Sequence, residues 1–83
     1  MITLGDIEMC IYNIPENAKC VGQTIAKATS REGFPKNINI ACVYDDSTNL
    51  FIVAKGDTEL NPKDRLFIIG VKEDIKKAID FIC

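Results

Sequence analysis

Glycine, aspartate, threonine and lysine residues cluster near the C-terminus, in the sequence VAKGDTELNPKDRLFIIG of residues 53–70. Such residues bind phosphate when the sequence is GxxxxGK[ST] between a strand and a helix, but this loop lacks the second glycine and leads into an apolar strand. A calcium loop alternates aspartate and asparagine ligands between two helices, whereas Asp57 and Glu59 lie between predicted strands. The pattern therefore favours a connection, in which Gly56 supplies a positive φ and Pro62 takes the second position of a turn.

Side chains for acid–base or nucleophilic catalysis are few. The chain has no histidine, so proton transfer would fall to carboxylates or to a perturbed lysine or cysteine. The adjacent residues Asp45 and Asp46 lie at a predicted hairpin tip, where solvated turn residues are much commoner than acid–base pairs. No nucleophile has a base beside it in the sequence. We predict no enzyme and no catalytic residues.

Two arginines, Arg31 and Arg65, are candidates for binding a phosphate or a carboxylate group. The alternative for each is a surface charge paired with its acidic neighbour, Glu32 or Asp64 respectively. The residues alone leave both alternatives open.

Four cysteines lie far apart in the chain, at Cys10, Cys20, Cys42 and Cys83. Zinc sites use closely paired ligands such as CxxC, often with histidine. No such pair occurs here, and no secretory signal precedes them. We therefore expect reduced thiols that are mostly buried, and no metal site.

Length and composition predict one domain, residues 1–83, that associates with another surface. Hydrophobic residues make up 47% of the 83 residues, and a domain this small leaves about 35–40% of its unfolded-chain surface exposed. A second copy is the simplest cover for the excess apolar surface. The net charge of −2 disfavours nucleic acid as a partner. No apolar run approaches the roughly 20 residues of a membrane helix, so we predict no direct membrane insertion.

Apolar periodicity predicts the order strand–helix–strand–strand–strand–helix. The predicted strands are residues 7–14, 37–44, 50–54 and 65–69. One helix is predicted within residues 21–30, and the other carries apolar residues at i, i+3, i+4 and i+7, which are Ile75, Ala78, Ile79 and Ile82. The expected fold is α+β: a small, mostly antiparallel sheet whose last three strands form a meander. We expect two helices on one face of the sheet and a symmetric dimer on the other.

The same residues resemble a known family. IPENAKCVGQTI, residues 14–25, is similar to the start of TrkA C-terminal domains, also called RCK C-terminal domains, where a strand ends in an I/V-P-E/D turn before a V-G-K/Q-T/S-L/I helix start. FPKNINIACVYDDSTNLFIVAKGDTELNPKDRLFIIGVKEDIKKA resembles the family's next strand and hairpin, its G-D-T loop, its P-G-D-x-L turn and its final strand and helix. The resemblance covers residues 7–81. Asp45 departs from a hairpin tip that is usually R-D-G, and Lys63 replaces the usual glycine of P-G-D.

The resemblance implies a regulatory function on the cytosolic side of the membrane. Domains of this family act on potassium channels, potassium uptake systems, cation/proton antiporters and related transporters, form dimers, and change transport when a small ligand binds. The implied partners are therefore a second copy and a membrane-embedded transporter or channel subunit, which would hold the domain near the inner face of the membrane. The nucleotide-binding RCK N-terminal domain with its GxGxxG motif does not occur in this sequence. Because the sequence begins at the domain edge, we expect an excised module rather than a stand-alone product.

One branch of the family binds cyclic di-AMP across the dimer two-fold axis. By match, Arg31 and Asn39 would contact that ligand, with the aliphatic residues Ile38 and Ile40 beside them. The implied ligand is therefore cyclic di-AMP or a cation, and no covalently bound cofactor is implied. The alternatives are that Arg31 only pairs with Glu32, that Asn39 only completes a strand end, and that the whole domain is a structural oligomerisation module without a ligand.

Overall fold

The computed structural model describes residues 2–82 and has an α+β fold of five strands and two helices. In chain order the elements are β1 (Ile2–Leu4), β2 (Ile7–Asn13), α1 (Ile25–Thr29), β3 (Ile38–Asp45), β4 (Leu50–Val53), β5 (Arg65–Val71) and α2 (Lys72–Ile82). The predicted order of one strand, a helix, three strands and a helix is confirmed. No helix within residues 2–82 is long and apolar enough to cross a membrane.

β1 is an addition that the sequence patterns missed. It pairs with β2 through a two-residue turn, with Leu4 opposite Ile7, and Gly5 occupies that turn at φ 61°. A strand of three residues is too short to show the alternating pattern by which strands are recognised. β1 therefore extends the sheet at one edge.

The sheet has the order β1-β2-β5-β3-β4, and every neighbouring pair is antiparallel. The predicted meander of the last three strands is wrong, because β5 pairs with β3 and β2 and not with β4. The reason lies in the connection between β4 and β5. It does not turn back on itself, but leaves the sheet to bond with the start of α1, where Thr58 O accepts from the Ile25 backbone N–H at 2.9 Å.

The core lies between the sheet and the helices. Leu66 and Ile68 of β5 are fully buried, and α2 packs across β5, β2 and β3 with its own apolar stripe of Ile75, Ala78 and Ile82. α1 packs against α2 on the same side. The predicted placement of both helices on one face is confirmed.

Gly70 allows β3 and β5 to approach closely at the start of β3. A Cβ atom on Gly70 would lie 2.7 Å from Ile38 Cγ2 and 2.9 Å from Ile38 Cα, and it would also meet Asn37 O. Contacts this short do not occur in real structures without displacement of the backbone. Only glycine therefore fits at this point of the sheet.

The opposite side of the sheet, here called the open face, presents large apolar side chains to solvent. Its most exposed members are Ile2, Leu4, Ile11, Phe51 and Val53. They come from β1, β2 and β4, and the strand registers place them on the side away from the helices. No element within residues 2–82 covers this face.

Candidate ligand-binding cavity

A cavity of about 300 Å³ lies where α1, the loop before β3 and the start of β3 meet the loop after β4. We call it the β3 cavity. Most of its lining residues are apolar by type, but the surface that they present to the cavity is more polar than apolar. The lining residues are Ile25, Thr29, Phe34, Pro35, Ile38, Asn39, Ile40, Ala54, Lys55 and Gly56. Apolar residues combined with polar groups are typical of sites for small organic ligands.

The β3 cavity exists because the first part of β3 has a partner on only one side. β4 pairs only with residues Cys42 to Asp45 of β3, and the ladder between β3 and β5 shifts between Ile40 and Cys42. Such a bulge bends a strand and ends regular pairing. The residues before it therefore border an opening at the side of the sheet.

The loop after β4 forms the cavity wall and also completes the start of α1. Gly56 O accepts the Ala26 backbone N–H at 2.9 Å, Thr58 O accepts that of Ile25 at 2.9 Å, and Thr24 Oγ1 accepts that of Lys27 at 3.2 Å. The first N–H groups of a helix have no partner inside the helix, so this loop supplies part of the cap. The segment is more than the simple connection predicted.

Two details of the predicted turns also change. Gly56 does not have a positive φ, so its role is as a carbonyl acceptor. In the turn after it, Lys63 has φ 70°, and Asp64 N donates to Asn61 O at 3.3 Å. The family resemblance predicts glycine at this position, where a positive φ costs a residue with a Cβ atom.

Three of the four predicted ligand residues, Ile38, Asn39 and Ile40, line the β3 cavity. Ile38 is buried at the helix side of the sheet, and Asn39 is exposed. Within residues 2–82 the side-chain amide of Asn39 has no hydrogen-bond partner. An amide offers both donors and acceptors, so Asn39 keeps its full capacity to bond a polar ligand group.

Arg31, the fourth predicted ligand residue, lies beside the end of α2 instead. Its Nη1 donates to the backbone oxygen of Phe81 at 3.0 Å, and its guanidinium carbon lies 5.2 Å from the centre of the Phe81 ring. Phe81 in turn meets Phe34, a wall residue of the β3 cavity, with ring centres 5.6 Å apart. Arg31 thus contacts the cavity wall through two rings.

Neither arginine forms the ion pair considered as its alternative. Within residues 2–82 the ion pair present joins Lys63 and Glu16 at 3.8 Å between two exposed side chains. Arg65 lies over the Tyr44 ring, with 5.3 Å between the guanidinium carbon and the ring centre. Stacking on aromatic rings therefore holds both arginines.

Asp64 is a buried carboxylate at the far end of β3 from the cavity. It is 3% exposed, and its oxygens accept the backbone N–H groups of Asp46 at 3.2 Å and Asn61 at 3.3 Å. Loss of water raises the pKa of Asp64, the two hydrogen bonds oppose that rise, and the charges of Asp45 and Asp46 add to it. Asp64 ties the β3–β4 hairpin to the turn before β5. Within residues 2–82 no three acidic, cysteine or histidine residues converge to hold a metal ion.

Cys10, Cys20 and Cys42 are free thiols, and Cys83 lies outside the described residues. Burial raises the pKa of the Cys20 thiol, which keeps it protonated and unreactive. None of the three lines the β3 cavity.

Sequence reasoning missed Lys55, Phe34 and Pro35 as cavity residues. Phe34 and Pro35 precede β3 and lie in no predicted strand or helix. Lys55 lies beside Gly56 in the loop first tested as a phosphate site. The signal in the sequence is a lysine next to a glycine, although the loop lacks the GxxxxGK[ST] pattern of a phosphate loop.

Comparison with known proteins places the chain in a family context. The family model described as the TrkA-C domain matches residues 9–82, so β1 precedes the matched range. No curated protein sequence matches the chain. A solved structure described as "Structure of RCK domain with cda" is similar over 88% of this chain and 97% of that chain, with 26% sequence identity and a TM-score of 0.63.

Proposed function

This chain belongs to the TrkA-C domain family, whose members generally regulate potassium transport systems, and from that premise we propose a ligand-sensing and dimerising role for it. The regulated system would be a potassium or other monovalent-cation channel or transporter, or a cation/proton antiporter. The observation that carries the ligand-sensing part is the β3 cavity, which Ile38 and Ile40 line from the helix side of the sheet and which Asn39 borders between them. The family is regulatory rather than catalytic.

The proposed ligand is cyclic di-AMP. The sequence resemblance implies this ligand, and the description of the solved RCK domain that is similar to this chain contains the words "with cda". Ile38 and Ile40 would pack against the bases or riboses, and Asn39 would bond their polar edges. The cavity of about 300 Å³ is at the low end of the usual range of roughly 300–1,000 Å³.

Arg31 stands apart from the other three proposed ligand residues. To reach an anion in the β3 cavity, its guanidinium would have to leave the Phe81 backbone oxygen and ring. Direct contact of Arg31 with a ligand therefore requires a rearrangement, whereas Ile38, Asn39 and Ile40 line the cavity as it stands.

We propose the open face as the dimer interface. Phe51 is 65% exposed and Val53 71% exposed on that face, and large exposed apolar patches typically mark interaction surfaces. With strands spaced roughly 4.8 Å apart and rising roughly 3.3 Å per residue, the five strands and the seven-residue β5 give the face outer dimensions of roughly 24 by 23 Å, within which the edge strands β1 and β4 are shorter. A second copy offers the same apolar surface and closes a two-fold dimer.

The further partner in this proposal is a membrane-embedded transporter or channel subunit. The domain would lie on the cytosolic side and reach the membrane through that subunit. Ligand binding in the β3 cavity would alter transport by changing the relative positions of two paired domains, since a ligand can shift an equilibrium only by binding one arrangement better than another.

A thermal-shift screen of the chain tests the ligand-sensing part directly. The screen would contain cyclic di-AMP, AMP, ATP, K⁺, Na⁺, Mg²⁺ and Ca²⁺. A ligand that binds only the folded state adds about 2.7 kcal/mol of stability at a hundredfold excess over Kd, so cyclic di-AMP should raise Tm by several degrees. The matched variant Asn39→Ala should lose most of that shift. An unchanged Tm with every compound would favour the structural oligomerisation module, which the open face by itself also supports.

A further inference from the structure

Lys55 is the one charged residue among those that line the β3 cavity. Its side chain is exposed, and it forms no ion pair with any residue from 2 to 82. A lysine ammonium is a compact charge with three donors on a flexible stem. Lys55 is therefore free to contact an anionic group at the mouth of the cavity.

The backbone around Lys55 is held on both sides. Within the loop, Lys55 N donates to Thr58 Oγ1 at 3.0 Å and Lys55 O accepts the Thr58 N–H at 3.1 Å. Gly56 O accepts the Ala26 N–H at 2.9 Å, and this bond fixes the loop to the start of α1. Gly56 also lines the cavity, and its backbone N–H has no partner within residues 2–82. A cation and a free backbone donor thus occur side by side on a fixed loop.

Arg31 already interacts with the C-terminal end of α2. α2 has no basic residue in its last turn, and the backbone oxygens at a helix C-terminus are stabilised by a nearby cation. Arg31 supplies that cation from the α1–β3 loop through its bond to Phe81 O, and it also stacks on the Phe81 ring. Phe81 then supports Phe34 in the cavity wall.

From this geometry we propose that Lys55, and not Arg31, supplies the cation that contacts the anionic group of a ligand in the β3 cavity. The inference rests on the ligand-sensing role proposed above. The ligand class is an organic phosphate, with its apolar or aromatic body against Ile38, Ile40 and Phe34 and its phosphate at Lys55 and the Gly56 N–H. Arg31 is a positioning residue, since it acts on the cavity through Phe81 and Phe34.

The experiment is a calorimetric titration of cyclic di-AMP into the whole chain and into matched variants at two salt concentrations. Lys55→Met should weaken binding at least tenfold and should flatten the dependence of Kd on salt, because the charge contact is lost. Lys55→Arg should recover most of the affinity. Lys27→Met, at an exposed lysine of α1 outside the cavity lining, should change Kd less than twofold.

Arg31→Met separates the two cations. At a temperature where circular dichroism shows it folded, this variant should bind cyclic di-AMP within about threefold of the unmodified chain and with the same salt dependence, while its Tm is lower. If Lys55→Met binds as tightly as the unmodified chain, the assignment of Lys55 is wrong although the ligand proposal stands. If the folded Arg31→Met variant no longer binds cyclic di-AMP, or binds it with a Kd that no longer depends on salt, the assignment of Lys55 is also wrong. If the unmodified chain binds no cyclic di-AMP, both this inference and the proposed ligand fail.

Discussion

Arg31 Nη1 lies 3.0 Å from the backbone oxygen of Phe81, and the Arg31 guanidinium carbon lies 5.2 Å from the Phe81 ring centre. The loop that leads into β3 is thereby fixed to the C-terminal end of α2. Because Phe81 also packs edge-on against Phe34, the same contacts support one wall of the β3 cavity. A change at the end of α2 is therefore expected to alter the position of Phe34 in the cavity wall.

The first prediction is that Arg31→Met lowers the free energy of unfolding by about 1–2 kcal/mol, from the lost helix-end cation and the lost cation–π contact. Urea unfolding followed by circular dichroism measures it. Arg31→Lys is the matched control, since it keeps the charge and should lose less. Equal stability of Arg31→Met and the unmodified chain would show that the contact with Phe81 does not stabilise the fold.

The second prediction concerns Lys63, which has φ 70° in the turn before β5. Lys63→Gly should raise the free energy of unfolding by about 1 kcal/mol, because glycine adopts this conformation without the penalty that a Cβ atom causes. The ion pair with Glu16 is exposed and spans 3.8 Å, so its loss should matter little. Lys63→Ala removes the same charge without relieving the backbone and should give no gain. A gain in both variants would instead point to the charge.

The third prediction is that Gly70→Ala is strongly destabilising, by about 2–4 kcal/mol, since overpacking of a closely packed site forces backbone shifts. The added methyl group would collide with Ile38 at 2.7–2.9 Å. Gly56→Ala is the control, because its added Cβ would lie 3.4 Å from Ala26 Cβ, an ordinary contact. Thermal unfolding of both variants measures the difference. Similar losses of Tm in the two variants would contradict the close approach of β3 and β5.

The fourth prediction concerns pH and Asp64, whose pKa is raised above the ordinary value of 3.8 mainly by burial. A raised pKa means that the folded state holds this proton more tightly than the unfolded state does. The stabilisation of the folded state by this tighter proton binding is therefore fully present below pH 3.8, and it is lost as the pH rises through the folded-state pKa of Asp64. Asp45 acts in the opposite sense, because hydrogen bonds from Ser47 lower its pKa, so its contribution is lost as the pH falls.

Comparison of Asp64→Asn with the unmodified chain separates the pH dependence caused by Asp64 from that caused by Asp45. The asparagine variant should be less stable at all pH values, because its NH₂ group cannot accept both backbone N–H bonds that Asp64 accepts. Its deficit should be largest at low pH and should shrink as the pH rises, since only the unmodified chain then has to hold a buried charge. Urea unfolding at several pH values from about 3 to about 7 tests the sign. A deficit that grows with pH would reverse the assigned direction.

The fifth prediction tests the open face. Phe51→Glu should dissociate the proposed dimer, because a two-fold interface would contain the buried charge twice. Leu50→Glu is the matched control, since Leu50 is 62% exposed and lies on the other side of the same strand. Sedimentation velocity at micromolar concentration should show dimers for the unmodified chain and Leu50→Glu, and monomers for Phe51→Glu. A monomeric unmodified chain would overturn the proposal.

Prediction from sequence succeeded where local pattern decides structure. The periodicity of Ile75, Ala78 and Ile82 predicts α2, and the apolar runs predict β3, β4 and β5 to within two residues. Strand order was beyond this reasoning, because the loop after β4 leaves the sheet to bond with α1, and β5 pairs with β3 instead of β4. Tertiary contacts of that kind leave no periodic signal.

The candidate site shows the same limit. Matching to the family selected Ile38, Asn39 and Ile40, which follow one another along the part of β3 that borders the cavity. It also selected Arg31, whose position depends on a helix end fifty residues away along the chain. Lys55 belongs to the cavity for a similar reason, since the contact of its loop with α1 brings it there. Sequence distance conceals both relationships.

The most direct test of the central claim is the stoichiometry of cyclic di-AMP binding, measured by calorimetry on the unmodified chain. A separate β3 cavity in each protomer, on the helix side of the sheet and away from the proposed dimer interface, predicts one ligand for every chain and an unchanged dimer fraction by sedimentation. One ligand for every two chains would instead place the ligand on a two-fold axis and would contradict a dimer formed through the open face. Ligand sensing by this domain would be contradicted if cyclic di-AMP gave no heat of binding and no change of Tm at concentrations up to about a millimolar. A Kd of about a millimolar corresponds to a binding free energy of only about −4 kcal/mol.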